Sequence, residues 1–130
     1  MHSLKDLQDD HLLSVLESAY LSVQADETVA SQFKNGDVFS VMVLNPTVIA
    51  FTVSVSENSL HWKIGTDGEC PSIIWKEKKH FLEWLEGKRG ILKLVMMQKF
   101  KVHGKIPAWV NALNLPLRKY ISEKVLVGKP

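Results

Sequence analysis

The chain has 130 residues, of which 45% are hydrophobic and 23% are charged. This composition is that of one ordinary globular domain with a substantial core, spanning residues 1–130, and it excludes a disordered chain. The net charge of +2 is too small for the strongly basic face of a nucleic-acid-binding protein, although it permits transient contact with an anionic membrane.

The single cysteine, Cys70, cannot form an internal disulfide, so the sequence does not indicate an oxidising compartment. The first residues lack the apolar run of a signal peptide, and the longest apolar stretches fall far short of the roughly 20 residues that span a bilayer. We therefore expect a cytoplasmic protein.

The first half of the chain predicts a helix followed by a meander. Apolar residues recur at helical spacing within residues 4–24, and Ser3 with Asp6 resembles a capping box. From Val38 the period becomes two, which predicts three strands joined by short turns. The inward residues of these strands are Phe39, Val41 and Val43, then Phe51, Val53 and Val55, then Leu60, Trp62 and Ile64.

The second half is more helical. A fourth strand is predicted over residues 72–76, and a helix over residues 78–86 that Gly87 ends. The run 91–97 is apolar on nearly every side, so a helix there must be buried or must contact something apolar. Strict alternation over residues 99–103 predicts a fifth strand, with Phe100 and Val102 inward and with Lys99, Lys101 and His103 in solvent.

The last helix begins near Pro107, and its apolar residues Trp109, Leu113, Leu117 and Ile121 are spaced by four. Pro116 is expected to kink or divide it. The element order is therefore helix, four strands, two helices, strand and helix. This order predicts an α+β fold in which helices cover one face of a mainly antiparallel sheet.

Signals of catalysis or metal binding are weak. None of the five histidines has the helical spacing of a zinc protease, and no Cys-x-x-Cys is present. Cys70 would act as a nucleophile only with a histidine close in space, and its local sequence does not support that role. Residues 87–90 lack the spacing of a phosphate-binding loop. We predict no enzyme activity, no cofactor and no metal site.

An ordered set of motifs carries a resemblance to a known family. Ser72-Ile73-Ile74-Trp75 precedes Phe81-Leu82-Glu83-Trp84-Leu85-Glu86-Gly87-Lys88, and Lys99-Phe100-Lys101-Val102-His103-Gly104 and an apolar helix follow. This arrangement resembles the sterol carrier protein type 2 (SCP2) family. The resemblance covers roughly residues 36–113, and the meander matches the family's first three strands in order and length.

The resemblance implies a five-stranded sheet with helices on one face and an apolar tunnel between the layers. Members of that family bind fatty acids, acyl thioesters, phospholipids or sterols. The sequence therefore favours a non-enzymatic lipid-binding or lipid-transfer protein. The alternative is an accessory or oligomerisation module that assists an enzyme of lipid or quinone metabolism. The natural ligand and the oligomeric state remain open.

Periodicity and the family's architecture together predict the ligand-binding wall. It comprises the strand residues Phe51, Val53, Trp62, Ile64, Phe100 and Val102 and the helical residues Phe81, Trp84, Leu85, Leu92, Met96, Trp109 and Leu113. Two hypotheses for the segment after Asn114 stay open, a lid over the tunnel or an ordinary docked helix. If that segment belongs to the core, the apolar run 91–97 is the next candidate for the gate.

Overall fold

A computed structural model describes residues 3–66, 68–88 and 90–126. Met1, His2, Asp67, Arg89 and residues 127–130 lie outside the described residues. The described chain forms one sheet and a layer of helices packed against it.

The sheet has five strands in the order β3-β2-β1-β4-β5. Strands β1 and β4 are parallel, and the other neighbours are antiparallel. Short turns join β1, β2 and β3, whereas β4 is reached by a crossover, so β1 lies at the centre. The strands are β1 (Val38–Val43), β2 (Ile49–Ser56), β3 (Ser59–Ile64), β4 (Ser72–Trp75) and β5 (Phe100–His103).

The helices pack on one face of this sheet. Every predicted inward residue of β1 and β2 is buried, because alternate strand residues point to the same side. The helices are α1 (Asp9–Ser22), α2 (Glu27–Ala30), α3 (Lys78–Leu85), α4 (Ile91–Met96) and α5 (Val110–Tyr120), with 3-10 turns at Leu4–Asp6 and Val23–Ala25 and a π-helical turn at Ile121–Val125. The predicted α+β fold and five-stranded, mainly antiparallel sheet are confirmed.

One helix boundary differs from the prediction, and Pro116 does not have one of its two predicted effects. The first helix starts at Asp9 rather than at Leu4, and a separate 3-10 turn precedes it. That turn is bound to the end of α3, because Glu86 Oε2 accepts hydrogen bonds from Leu4 N at 2.9 Å and from Ser3 Oγ at 3.1 Å. Pro116 does not divide the last helix, which runs through it from Val110 to Tyr120.

The face of the sheet that points away from the helices is not uniformly exposed, although its polar residues predict a solvent-facing surface. Ser40 and Thr52 are buried, and their hydroxyl oxygens lie 3.0 Å apart. Thr52 Oγ1 also donates to the Gly65 carbonyl at 2.7 Å, and Ser40 Oγ lies 2.9 Å from Cys70 Sγ. These bonds satisfy the buried hydroxyls, so the pair costs little to bury.

Candidate functional site

A cavity of about 380 Å³ lies between the sheet and the helix layer. It occupies the side of the sheet formed by β1, β4 and β5, beneath α3, α4 and α5. Its volume falls within the roughly 300–1,000 Å³ range of small-molecule sites.

Aromatic rings form one wall of the cavity. Trp75 of β4 lies at the centre of this cluster, with its ring centroid 4.7 Å from Phe100, 5.6 Å from Phe81 and 5.8 Å from Trp84. Such offset and tilted pairs pack favourably and hold the rings in place. The sheet side of the wall consists of Phe39, Val41, Ile73, Trp75, Phe100 and Val102.

The helices complete the wall with residues one turn apart. Ile91 and Val95 of α4 are related by i, i+4, as are Val110 and Asn114 of α5. The remaining lining residues are Tyr20, Phe81, Trp84, Ile106, Pro107, Ala108, Asn111, Leu113 and Leu117.

The turn between α3 and α4 fixes where these helices meet the cavity. Gly87 has a φ of +78°, a conformation that glycine adopts without steric cost. It allows Gly87 N to donate to the Trp84 carbonyl at 3.0 Å and Lys88 N to donate to the Glu83 carbonyl at 2.8 Å. These bonds end α3 directly before Gly87, as its C-terminal glycine predicts.

Polar groups in the described lining are few and uncharged. They are the side-chain amides of Asn111 and Asn114, the Tyr20 hydroxyl and the indoles of Trp75 and Trp84. Burial raises the pKa of Tyr20, so its hydroxyl stays protonated at neutral pH. Trp84 Nε1 is buried and has no hydrogen-bond partner among the described residues. The described lining can thus contact an apolar ligand and offer neutral hydrogen-bonding groups, but it has no charged side chain to pair with a charged group.

Five of the predicted wall residues lie on the cavity. The inward orientation of Phe100 and Val102 is correct, although Val102 remains 54% exposed where the cavity opens. The five residues are Phe81, Trp84, Phe100, Val102 and Leu113. Their role in binding a ligand stays a prediction.

Five other predicted residues do not line the cavity because they are engaged elsewhere. Phe51 and Trp62 stack with centroids 5.2 Å apart on the half of the sheet that α1 covers. Trp109 packs edge-on against Phe39 and donates from Nε1 to Asp37 Oδ2 at 2.6 Å. The five residues that contribute to the core or pack against it are Phe51, Val53, Trp62, Leu85 and Trp109. Their role in binding a ligand stays a prediction.

Three further predicted residues lie towards solvent. Ile64, at the end of the edge strand β3, is 68% exposed. Leu92 and Met96 are 71% and 76% exposed, because α4 turns the neighbouring pair, Ile91 and Val95, towards the cavity. These three residues do not line this cavity, and their role in binding a ligand stays a prediction.

Sequence reasoning missed much of the sheet side of the cavity. Alternation indicates that Phe39 and Val41 point to one side of β1, and that Ile73 and Trp75 point to one side of β4. It does not indicate that β1 and β4 are adjacent, because that depends on the crossover between them. The sequence thus indicated which side chains point to the same side of each strand, but it did not indicate the order of the strands in the sheet.

The described residues show no arrangement suited to catalysis. Cys70 lies near Ser40, and no histidine is shown against its sulfur. Burial lowers the pKa of His80, whose Nδ1 has no hydrogen-bond partner among the described residues. Within residues 3–66, 68–88 and 90–126, no group of three His, Cys, Asp or Glu side chains is placed to hold a metal ion. In the same part of the chain, none of the helices has the length and apolar character needed to cross a bilayer.

Comparison with protein-family models and with curated proteins finds no match. Comparison with solved structures finds several of the same fold. The sterol carrier protein domain 2 of Helicoverpa armigera is similar at a TM-score of 0.60 and 14% identity, over 82% of this chain and 85% of that chain. The sterol carrier protein 2 of Yarrowia lipolytica, in its apo form, is similar at 0.58 and 18%, over 82% and 89%.

A third similar structure is named UbiJ-SCP2, a ubiquinone synthesis protein. Its TM-score is 0.58 at 19% identity, and the match covers 87% of this chain and 97% of that chain. Identities this low show the fold alone.

Proposed function

Because this chain has the fold of the SCP2 domains, we propose that it is a non-enzymatic lipid-binding or lipid-transfer protein. Its ligand is a fatty acyl chain, a phospholipid or a sterol-like molecule that enters the apolar space under α3, α4 and α5. The observation that carries the proposal is the cavity itself, which lies open in a chain whose opposite half is filled.

The physical basis is the removal of apolar surface from water. Each buried methylene contributes about 0.8 kcal/mol, so a chain of about sixteen carbons would gain on the order of 10 kcal/mol before association costs. The volume of about 380 Å³ favours a ligand with one chain, because it is near the lower end of the usual range. A longer or second chain would require the helices to move apart.

The lining also constrains the polar end of the ligand. A carboxylate or phosphate inside the cavity would meet no cation in the described lining, and burying it unpaired is costly. A neutral hydroxyl, ester or amide could hydrogen-bond with Asn111 or Asn114 instead. We therefore expect any charged headgroup to remain at the opening of the cavity.

Catalysis is not part of the proposal. The described lining offers neither a nucleophile with an adjacent base nor a pair of carboxylates. The protonated Tyr20 hydroxyl serves only as a hydrogen-bonding group.

Native mass spectrometry of the purified protein tests the proposal, with copurified lipid as the expected result. Titration with a fluorescent fatty acid then locates the site, because Trp75 and Trp84 line the cavity whereas Trp62 and Trp109 do not. We expect Trp75→Phe and Trp84→Phe each to reduce the change in tryptophan emission, the double variant to remove most of it, and Trp62→Phe to leave it. A change that depended on Trp62 would place the ligand elsewhere.

One observation favours a second candidate. The match to UbiJ-SCP2 spans nearly the whole of that chain, which supports an accessory module assisting an enzyme of lipid or quinone metabolism. A folded protein that binds no lipid in either assay but copurifies with such an enzyme would favour this candidate over a carrier.

A further inference from the structure

Helix α4 carries more exposed large hydrophobic side chains than any other helix or strand in the described part of the chain. Across all described residues, ten large hydrophobic side chains are exposed, and five of them lie within residues 91–97. Leu92 and Met96 are the most exposed of the five, while Leu94 is fully buried and anchors the helix. Apolar patches of this kind mark interaction sites.

The same helix borders the opening of the cavity. Ile91 and Val95 line the cavity on one side of α4, while Leu92 and Met96 project on the other. Ile91, Val95 and Val102 all line the cavity and yet are 37–54% exposed. Ala108 and Asn111, near the start of α5, also line the cavity and are exposed. A surface that covers α4 therefore covers one side of the opening.

Charge is distributed very unevenly around this region. Residues 87–122 contain eight Lys and Arg and no Asp or Glu. The rest of the chain has the other eight basic residues against all fourteen acidic ones. Lys93, within α4, is exposed, and Lys88 and Lys99 flank the helix. Lys88 Nζ lies 3.2 Å from Glu86 Oε1. Lys93 follows Leu92 directly in the sequence.

We propose that α4 docks the protein on an anionic lipid bilayer. Leu92 and Met96 enter the boundary between headgroups and acyl chains, and Lys93 meets the anionic headgroups. Docking would place the opening of the cavity against the membrane, so a lipid could pass without crossing water. This last step rests on the proposed function, whereas docking itself needs no ligand.

Charge favours a bilayer over a second copy of this chain. Two copies that met symmetrically through α4 would bring two basic segments together, and such like-charge contacts oppose association. An anionic membrane complements both the apolar residues and the positive charge. The attraction should weaken with salt, because the charges are exposed.

Sedimentation with vesicles tests the proposal. The wild-type protein is compared with Leu92→Ser/Met96→Ser, on vesicles of phosphatidylcholine alone and of phosphatidylcholine mixed with phosphatidylglycerol. The matched control is Val48→Ser/Ile64→Ser, because these residues are 67% and 68% exposed and lie outside the basic segment. Thermal unfolding verifies that each variant is folded, which we expect since all four side chains are on the surface.

We expect the wild type to bind the mixed vesicles more tightly than phosphatidylcholine alone. The α4 variant should lose roughly tenfold or more of this binding, since two apolar side chains no longer insert. The control should bind like the wild type, and Lys93→Glu should lose the preference for anionic vesicles. Equal binding by the wild type and the α4 variant, or no binding by the wild type, would overturn the proposal.

Two further results separate this inference from the proposed function and from self-association. Ile73→Trp, which places an indole in part of the cavity, should still sediment with vesicles. Vesicle binding without copurified lipid would contradict the proposed function alone. Copurified lipid without vesicle binding would contradict the membrane proposal alone. Sedimentation equilibrium showing a dimer that Leu92→Ser/Met96→Ser dissociates would assign the surface to a second copy and overturn the membrane proposal.

Discussion

The two halves of the sheet carry similar inward rows of apolar residues, yet one half is filled and the other is hollow. Under α1, Phe51 meets Tyr20 with ring centroids 5.2 Å apart and stacks on Trp62, and Leu12, Leu16 and Ala19 are fully buried. Under α3, α4 and α5, the rows of β4 and β5 face a cavity of about 380 Å³. An inward apolar row therefore does not by itself mean a packed core.

The helices above each half explain the difference. Helix α1 is 14 residues long and presents a continuous apolar stripe. The hollow half is covered partly by α3, of eight residues, and α4, of six residues, and the turn at Gly87 separates them. Short helices that change direction leave space that one long helix would fill, and protein interiors otherwise tolerate few such voids.

The largest effect should follow truncation after Asn114, which removes part of the roof of the hollow half. Leu117 and Ile121 are 1% and 0% exposed, and losing each large buried side chain costs about 2–5 kcal/mol. The total is comparable to the roughly 5–15 kcal/mol stability of a domain. We expect denaturant titration to show no cooperative unfolding.

That outcome would assign the segment to the core and leave α4 as the candidate gate. A truncated chain that unfolds cooperatively and exchanges lipid faster would instead establish the segment as a lid.

A smaller effect distinguishes the halves directly. Phe51→Ala removes a ring from the filled half and should destabilise the protein by about 3–5 kcal/mol. Phe100→Ala removes a half-buried ring that already borders the cavity, so it should cost roughly half as much or less. Urea unfolding measures both. Equal losses would contradict the contrast between a filled and a hollow half.

The smallest effect concerns His80 in α3. Burial holds its pKa below the ordinary value of 6.5, so the unfolded chain binds the proton more readily. Folding stability should therefore fall as the pH drops through 6.5, and His80→Leu should remove that dependence. The lowered pKa of Asp9, due mainly to its hydrogen bond with Lys78, affects stability only near and below 3.8.

Urea unfolding at several pH values between neutral and mildly acidic provides the test. Identical pH profiles for the wild type and His80→Leu would show that another group is responsible.

Local periodicity was sufficient to predict the fold class and most strand faces, including the alternation around Phe100 and Val102. It was insufficient for the site, because the cavity depends on which strands are neighbours and on how helices fill space. Phe51 and Trp62 have the same inward pattern as Ile73 and Trp75, but the order β3-β2-β1-β4-β5 separates the two pairs. In α4, the residues predicted to line the cavity were Leu92 and Met96, whereas those that line it are one position earlier, Ile91 and Val95.

The central claim is that the hollow half binds lipid, and one pair of variants tests it most directly. Ile73 and Ile74 are adjacent on β4 and both half-buried, but Ile73 lines the cavity and Ile74 lies on the opposite face of the strand. In a titration with a fluorescent fatty acid, Ile73→Trp should weaken binding at least about tenfold, because an indole would occupy part of the cavity. Ile74→Trp should bind like the wild type. Equal binding by both variants, with both shown to be folded, would contradict the claim.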